Sequence, residues 1–337
     1  MNISISSMAE FRALVAELPG PDARAADAWA AREPQLTKPA GSLGRLEEIS
    51  AWLAAWQGRH PPRVDRARVR VFAGNHGVAA LGVSAFPAEV TVQMVLNFEH
   101  GGAAINQLCR SVGAELAVTA LDLDRPCGDF TRGPALDEAE FCAAVNAGFQ
   151  SVPEETDLLA LGEMGIGNTT TAAAIPCALY GGEAAEWTGR GTGVEGAALT
   201  RKTEVVAAGV ARHRGQDPLE VLRCLGGREL VAIAGAVVAA RLRRIPVLLD
   251  GYVCTAAAAP LAAVRPDALD HCLVGHASLE PGHRRLMERL GKVPLLDMNM
   301  RLGEASGAAL AIGVVKAAAA CHAGMATFAE AGVSDKD

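Results

Sequence analysis

Asp157-Leu-Leu-Ala-Leu-Gly-Glu-Met-Gly-Ile-Gly-Asn-Thr-Thr-Thr171 is the segment that decides the fold of this chain. Its apolar first half predicts a buried strand, its glycines a tight turn, and the polar residues that follow the start of a helix. Strand, turn and helix in this order are typical of parallel α/β sheets, whose ligands bind in loops beyond the carboxyl ends of the strands. The segment therefore predicts a fold class and the edge of the sheet where a site would lie.

The same succession recurs along the chain. Apolar runs predict strands at residues 69–73, 116–120, 157–161, 245–249, 272–274 and 293–296. Helical stretches include residues 87–108, 170–179, 199–212 and 229–241. Strands that alternate with helices predict an α/β protein with a doubly wound, mostly parallel sheet. A last helical stretch, 307–328, is expected to pack with the helical N-terminal region as a small additional domain.

The amino-acid composition and the net charge limit the kind of core and the classes of ligand that this protein can have. The 337 residues are 50% hydrophobic but only 4% aromatic, so we expect a core of Ala, Val and Leu. The formal net charge of −7 argues against a nucleic-acid backbone binder, which needs a basic face. It leaves open a small anionic ligand held by backbone N–H groups.

The eight cysteines indicate a compartment and exclude two kinds of site. They are scattered without a Cys-x-x-Cys pair, which is typical of reduced, buried thiols rather than a disulfide framework or a zinc site. The chain opens on a polar stretch without an apolar signal region, and its apolar runs are too short or too charged to cross a membrane. We therefore predict a cytoplasmic protein with no membrane partner, no metal and no cofactor.

The glycine-rich turn of the opening segment favours a phosphate. Gly165 and Gly167 let the backbone approach a ligand, and the N-terminus of the next helix attracts an anion. The turn lacks the sequence of a P-loop or of a dinucleotide fingerprint. The alternative is an ordinary strand-to-helix turn in which Asn168 or Thr169 caps the helix. Glu163, placed by this prediction in the turn, could accept a ribose hydroxyl or stabilise a developing cation.

A second glycine-rich segment spans residues 188–203. Three glycines predict a flexible loop, and Arg201 and Lys202 follow in the first turns of a helix. These two cations could neutralise a phosphate or a carboxylate. The alternative is a solvated basic helix end.

A third motif, Arg301-Leu-Gly-Glu-Ala-Ser-Gly-Ala-Ala-Leu-Ala-Ile312, holds a single carboxylate beside an Ala-rich apolar stretch. A semi-apolar setting raises the pKa of a carboxyl group toward neutrality, where it can act as a general base. Glu304 is therefore a candidate base. The alternative is a plain helix N-terminus, with Glu304 favoured by the helix dipole and Ser306 as the cap.

Residues 72–94 combine a strand end with a mixed apolar and polar helix entry. Asn75 and His76 follow the strand directly, although a lone His is more often structural than catalytic. An apolar slot with a few polar groups suits a flat heteroaromatic ligand, although Phe and Met at helical spacing are more often core. The residues that would form this slot are Ser84, Phe86, Pro87, Gln93 and Met94. In a later polar loop, Ser278 is a candidate hydrogen-bond donor to a phosphate.

Together these segments resemble one family, the nicotinate-nucleotide–dimethylbenzimidazole phosphoribosyltransferases of cobalamin lower-ligand synthesis. The resemblance runs in order from about residue 36 to about residue 335. Its matching segments are Lys38-Pro-Ala-Gly-Ser-Leu-Gly-Arg-Leu-Glu47, Ala73-Gly-Asn-His-Gly77, Val83-Ser-Ala-Phe-Pro87, Leu161-Gly-Glu-Met-Gly-Ile-Gly-Asn-Thr-Thr170, Leu248-Leu-Asp-Gly251 and Met300-Arg-Leu-Gly-Glu-Ala-Ser-Gly-Ala-Ala-Leu310. Two positions depart from the family, since Asn75 replaces a usual Asp and Ala305 a usual Gly.

The resemblance implies a reaction and an architecture. The reaction transfers phosphoribose from nicotinate mononucleotide to 5,6-dimethylbenzimidazole, with inversion at C1′, and yields α-ribazole 5′-phosphate and nicotinate. The architecture is a Rossmann-like sheet domain, expected at residues 64–305. A small helical domain is expected from both termini, at residues 1–63 and 306–337. The resemblance also implies a homodimer.

The resemblance assigns roles residue by residue. The family's general base corresponds to Glu304, and its other active-site carboxylate and lysine to Glu163 and Lys202. Donor-phosphate sites correspond to the loop after Glu163 and to the loop of Ser278. We also predict that Leu302, in the motif of the base, contacts a substrate, while Gln93 and Met94 compete for one acceptor-pocket position.

Two alternatives remain at this stage. A related enzyme could use another acceptor, such as adenine, a different benzimidazole or a phenol. A non-catalytic nucleotide-binding protein could use the same sheet without the chemistry. A transferase that uses phosphoribosyl pyrophosphate is disfavoured, because no strand ends in paired acids followed by a Thr-rich loop.

Overall fold

A six-stranded, all-parallel sheet forms the centre of the computed structural model, which describes residues 3–334. The spatial order is β2-β1-β3-β4-β5-β6, so the chain reverses direction across the sheet between β1 and β3. The strands are Ala67–Ala73 (β1), Glu115–Ala120 (β2), Leu158–Met164 (β3), Val247–Leu249 (β4), Cys272–His276 (β5) and Pro294–Leu296 (β6). The predicted doubly wound parallel sheet is confirmed, and all six predicted strands are present.

Helices cover both faces of this sheet. Within residues 3–334 they are Met8–Ala16 (α1), Ala23–Arg32 (α2), Arg45–Gln57 (α3), Val90–Glu99 (α4), Ala104–Val112 (α5), Glu138–Gln150 (α6), Asn168–Tyr180 (α7), Ala184–Trp187 (α8), Gly196–Arg212 (α9), Pro218–Leu225 (α10), Arg228–Leu242 (α11), Tyr252–Val264 (α12), Pro281–Leu290 (α13), Ser306–Gly324 (α14) and Phe328–Ala331 (α15). Short 3-10 turns occupy Glu33–Gln35 and Gly77–Leu81.

One predicted helix is wrong in its extent. The stretch 87–108 forms two helices, α4 and α5, because the chain turns at Gly101, whose φ of 76° lies in the left-handed region. The other named helices are confirmed with slightly longer bounds. The predicted stretch 307–328 is helical as α14 but ends at Gly324.

Strand β3 also extends further than predicted. It runs through Glu163 to Met164, which pairs with Ala73 of β1. Glu163 is therefore the penultimate residue of a strand rather than part of the turn. Hydrogen bonding to β1 holds its backbone, because the parallel ladder continues to the end of both strands.

The core is built from small residues, as the composition predicts. Leu159 and Leu161 face one side of the sheet with α6, α7, α11 and α12, whereas Leu158 and Ala160 face the other side with α3, α5 and α14. Helices α6 and α11 approach so closely that a Cβ on Gly148 would lie 2.0 Å from the Ala232 carbonyl oxygen. Only glycine permits that approach.

Helix α14 belongs to the core as well. By length and apolar composition it would qualify as a membrane span, but half of its 18-residue window is buried inside the fold. It packs against α3, α5 and β5, and thus joins N-terminal helices to the sheet. The division into residues 1–63 plus 306–337 and residues 64–305 stays a prediction; residues 1–2 and 335–337 of it lie outside the described chain.

Candidate functional site

A cavity of about 420 Å³ opens at the carboxyl edge of β3, β4 and β5, next to the reversal of the sheet order. Its volume is in the range of small-ligand sites in proteins. The loops that follow these strands, the entry to α4 and the loop before α14 form its walls. The cavity therefore lies at the edge of the sheet where the sequence predicted a site, because loops after parallel strands gather at one edge.

Most of the predicted site residues lie in the wall of this cavity. Those that line it are Glu163, Gly165, Asn168, Thr169, Ser278, Phe86, Met94, Leu302 and Glu304. They come from four separate segments of the chain, so the fold brings together what the sequence shows only as scattered motifs. Of the competing pair in α4, Met94 is in the wall, whereas Gln93 is exposed outside it.

Four further predicted residues lie next to the wall rather than in it. Gly167, with φ of 97°, is the residue before α7 and takes the capping position predicted for Asn168 or Thr169. Ser84 shares a hydrogen bond of 2.9 Å with the hydroxyl of Thr192, which lines the cavity. Pro87 is exposed at the entry to α4.

Lys202 is the fourth, and it is fully buried behind the cavity. Its ammonium group donates to Thr169 Oγ1 at 2.7 Å and to the Gly189 carbonyl oxygen at 3.0 Å. Burial lowers the pKa of Lys202 to about 8, although the Glu280 carboxylate acts in the opposite direction. The alternative of a solvated helix end is therefore wrong for Lys202, whose charge lies under the turn after β3.

Glu304 sits on a backbone corner of unusual geometry. Gly303, Glu304 and Ala305 have φ angles of 84°, 63° and 69°, so three successive residues are left-handed. This conformation costs a residue with a Cβ about 1–2 kcal/mol, and such strain persists only where the surroundings enforce it. Close packing enforces it here, since a Cβ on Gly162 would lie 2.2 Å from the Ala305 nitrogen.

The predicted cap of α14 is wrong. The helix begins at Ser306, and the Ser306 hydroxyl has no hydrogen-bond partner among the described residues. The Ala308 N–H instead donates to Asp250 Oδ1 at 2.9 Å. The reason is the left-handed turn before the helix, which makes Ala305 the capping residue and leaves Ser306 inside the first turn.

Two carboxyl groups of the cavity have strongly raised pKa values. Burial, followed by the charge of Asp250, raises the pKa of Glu304 to about 7. Burial, followed by the charges of Asp250 and Glu229, raises the pKa of Glu163 to about 8. A side-chain amide hydrogen bond from Asn168 to Glu163 acts against this rise. At neutral pH Glu304 is thus partly ionised, whereas Glu163 is mostly protonated.

The buried Glu163 makes stability depend on pH. Its folded-state pKa of about 8 lies above the ordinary 4.5, so its contribution is complete below about pH 4.5 and is lost as the pH rises through about 8. Glu163→Gln cannot titrate. We expect the free energy of unfolding of wild type, relative to Glu163→Gln, to fall between about pH 5 and about pH 8 in urea titrations. A difference that does not change with pH would contradict this.

Sequence reasoning assigned no role to five charged or titratable residues of the wall, namely Asp250, Tyr252, His276, Glu280 and Arg301. Asp250 and His276 each stand at the end of a strand, which was the available signal. Arg301 is the only Lys or Arg in the described wall, and it donates to the Gly191 carbonyl oxygen at 3.0 Å. Glu280 accepts from the Gly191 N–H at 2.8 Å.

His76, considered at the sequence level, lies behind the site. It is buried and hydrogen-bonded to the Glu229 carboxylate. Burial, the largest single influence, opposes its protonation, but the charges and hydrogen bonds of Glu229 and Cys127 together raise the pKa of His76 well above its ordinary value. Its neighbour Asn75 donates to the Leu123 carbonyl oxygen at 2.8 Å. Neither residue reaches the cavity wall, in keeping with the structural alternative.

Comparison with known proteins places this site in a family. A family model described as "Phosphoribosyltransferase" matches residues 18–333. The nicotinate-nucleotide–dimethylbenzimidazole phosphoribosyltransferase of Ruegeria pomeroyi is 61% identical over 332 residues, 98% of this chain and 99% of the relative. That of Mesorhizobium japonicum is 62% identical over 332 residues, with the same coverage of 98% and 99%.

Solved structures agree with these relatives. The crystal structure of CobT from Thermus thermophilus superposes with a TM-score of 0.86 and is 44% identical, covering 93% of this chain and 100% of the other. Sequence and fold therefore coincide over nearly the whole length of both chains. This chain belongs to the nicotinate-nucleotide–dimethylbenzimidazole phosphoribosyltransferase family, as its ordered motifs predicted.

Proposed function

We propose that this protein transfers phosphoribose from nicotinate mononucleotide to 5,6-dimethylbenzimidazole, in assembly of the nucleotide loop of cobalamin. The products are α-ribazole 5′-phosphate and nicotinate. The observation that carries the proposal is Glu304, a buried carboxyl group with a pKa of about 7 in the wall of a ligand-sized cavity. Such a group is suited to remove a proton at neutral pH.

The reaction needs one base. Nicotinate leaves the ribosyl pyridinium with the electrons of the C1′–N bond, while a nitrogen lone pair of the benzimidazole forms the new bond to C1′. Attack from the opposite face inverts C1′ from β to α. The other benzimidazole nitrogen then gives its proton to the Glu304 carboxylate. Two substrates held in one cavity gain much of the rate from proximity.

The donor phosphate is proposed to bind at the turn after β3. The N-terminus of the 13-residue helix α7 follows that turn, and backbone N–H groups at a helix N-terminus favour an anion. The Lys202 ammonium, hydrogen-bonded to Thr169 Oγ1, adds positive charge beneath it. Ser278, on the opposite loop of the cavity, is the second proposed phosphate contact.

Lys202→Met tests this phosphate site. A charge-assisted hydrogen bond is worth about 1.5–3 kcal/mol, so we expect KM for nicotinate mononucleotide to rise roughly 10- to 100-fold. Lys292→Met is the matched control, because the Lys292 ammonium also donates to two oxygens, those of Leu269 and Cys272, away from the cavity. Donor KM is measured in steady state at saturating acceptor. A value equal to the control would remove Lys202 from the phosphate site.

The acceptor is proposed to lie against the apolar part of the wall. Phe86, Val90 and Met94 enter the cavity from the start of α4, and Leu302 from the loop before α14. A flat, mostly apolar ring suits such a surface. Adenine or a phenol would have to satisfy additional or different hydrogen bonds in the same place, which makes dimethylbenzimidazole the acceptor of choice.

One assay tests donor, acceptor and stereochemistry. Purified protein is incubated with nicotinate mononucleotide and a panel of dimethylbenzimidazole, unsubstituted benzimidazole, adenine and a phenol. We expect the highest kcat/KM with dimethylbenzimidazole, and a product of the α configuration by mass and NMR. A higher kcat/KM with another acceptor would overturn the acceptor assignment. No transfer to any acceptor, with donor binding intact, would favour the non-catalytic nucleotide-binding protein.

A homodimer in the cytoplasm completes the proposal. Large apolar side chains are exposed around the cavity mouth, including Phe86 at 53%, Leu302 at 57% and Leu279 at 50%. Exposed apolar clusters of this kind mark protein contacts. All eight cysteines are free, seven of them buried, which suits a reducing compartment. A particle mass of one chain by light scattering would overturn the dimer.

A further inference from the structure

Helix α14 receives its N-terminal cap from a distant strand. Its own capping residue, Ala305, makes no side-chain hydrogen bond, and the Ser306 hydroxyl is unpartnered within residues 3–334. The third helical residue, Ala308, donates its N–H to Asp250 Oδ1 at 2.9 Å. Asp250 follows β4, 58 positions earlier in the chain, and is 1% exposed. A carboxylate at this position satisfies a free N–H and complements the helix dipole.

The left-handed corner that contains Glu304 immediately precedes the capped end of this helix. The Glu304 N–H donates to the Glu163 carbonyl oxygen at 3.3 Å, which ties the start of the corner to β3. The Asp250 cap ties the helix after the corner to the end of β4. Because Glu304 and Ala305 are both left-handed without being glycine, the corner needs such restraint on both sides.

Asp250 also has a free side toward the site. It lines the cavity, and its Oδ2 makes no hydrogen bond to the described protein. The titratable groups around it are Glu163, Glu304, Cys254 and His276, whose Nδ1 lies 3.4 Å from Oδ1. Its charge raises the pKa of both Glu163 and Glu304, so one carboxylate influences the position and the protonation of the proposed base.

We infer that Asp250 is a positioning residue for Glu304: by capping α14 from β4, it holds the left-handed corner that places the base in the cavity. The inference rests on the proposed role of Glu304 as the base. It assigns Asp250 no bond to the reacting atoms.

Two substitutions separate the cap from the charge. Asp250→Asn keeps an oxygen that can accept from Ala308 but loses the charge, whereas Asp250→Ala loses both. Asp137→Ala is the matched control, because Asp137 caps helix α6 through the Glu140 N–H at 2.7 Å, at an exposed position outside the cavity wall. Each protein is assayed for kcat, donor affinity and amide hydrogen exchange of residues 303–312 without substrates.

We expect Asp250→Ala to lower kcat about 100-fold, since a displacement of about 1 Å at a catalytic group has that effect, with donor affinity changed less than about fivefold. The Ala308 amide should lose protection, while β1 and β3 keep theirs. Asp250→Asn should retain protection and most of kcat at its own pH optimum. The acid limb of its pH–rate profile should lie at lower pH, because Glu304 no longer faces that charge.

Wild-type kcat and wild-type protection in Asp250→Ala would overturn the inference. So would full protection with an equal loss of kcat in both variants, which would indicate that Asp250 contacts a substrate. A third contradicting result is lost protection of the Ala308 amide in Asp250→Asn. The last outcome applies even if Asp250→Ala fails to fold. Failure of the proposed function is distinct, because it would appear as absent transfer in wild type. The exchange measurement needs no substrate and tests the cap independently.

Discussion

Glu304→Gln is expected to lower kcat by about 10²- to 10⁴-fold, the range that general base catalysis contributes. Glutamine keeps the size and the polarity of the side chain but cannot take a proton from the acceptor. The Glu304 carboxyl has an unpartnered Oε2 and forms no ion pair within residues 3–334. Donor affinity, measured by calorimetry, should therefore stay within a few-fold of wild type.

The pH dependence of kcat/KM, which reports the free enzyme, gives a second measurement for the same variant. In wild type kcat/KM should rise through about pH 7 as Glu304 ionises, and in Glu304→Gln this acid limb should disappear from the residual rate. Glu204→Gln, an exposed change on α9, serves as the control. Undiminished turnover in Glu304→Gln would contradict the assignment of Glu304 as the base, whatever the pH profile shows.

Gly162→Ala is expected to cost the fold about 3 kcal/mol and to remove most activity. A Cβ at Gly162 would lie 2.2 Å from the nitrogen and 2.5 Å from the Cβ of Ala305, so β3 or the Glu304 corner must shift. Overpacking a filled core costs about 1–3 kcal/mol. The upper end applies here, because the new Cβ on the backbone of β3 would meet the backbone of Ala305, and neither can move as a side chain can. The urea midpoint and kcat measure the two effects.

Gly313→Ala is the matched control for this change. Gly313 lies within α14, and nothing comes within 4 Å of the position of its Cβ. Alanine is favoured over glycine inside a helix by about 1 kcal/mol, so this variant should gain stability and keep its activity. If Gly162→Ala behaves like Gly313→Ala, the corner is not wedged against β3 in solution.

The sequence predicted the sheet well because its signals are local. Apolar runs bounded by turns mark all six strands, and the glycines after Met164 mark the turn that the cavity uses. The helix pattern at 87–108 failed for a local reason too, because apolar periodicity continues through a left-handed glycine that ends α4. The extent of β3 could not be predicted, since pairing with β1 decides where that strand stops.

The site was predictable in part. Glu304 and Glu163 were identified as carboxylates next to glycines, and Lys202 as a cation in the helix after a glycine-rich loop. The structure places the first two in one cavity wall and the third beneath it. Asp250 was quoted in a motif but assigned no role. Its hydrogen bond to Ala308 spans 58 positions, and no pattern of spacing indicates such a contact.

By itself, the sequence determined the class of fold, the family and several of the charged residues that lie in or next to the cavity wall. These follow from period, glycine placement and ordered motifs, which are properties of neighbouring residues. Only the tertiary structure decided that Met94 rather than Gln93 faces the cavity, that Lys202 is buried, and that Asp250 rather than Ser306 caps α14. The physical reason is that burial, pKa and capping across the fold depend on which distant segments pack together, and packing is settled only when the whole chain is folded.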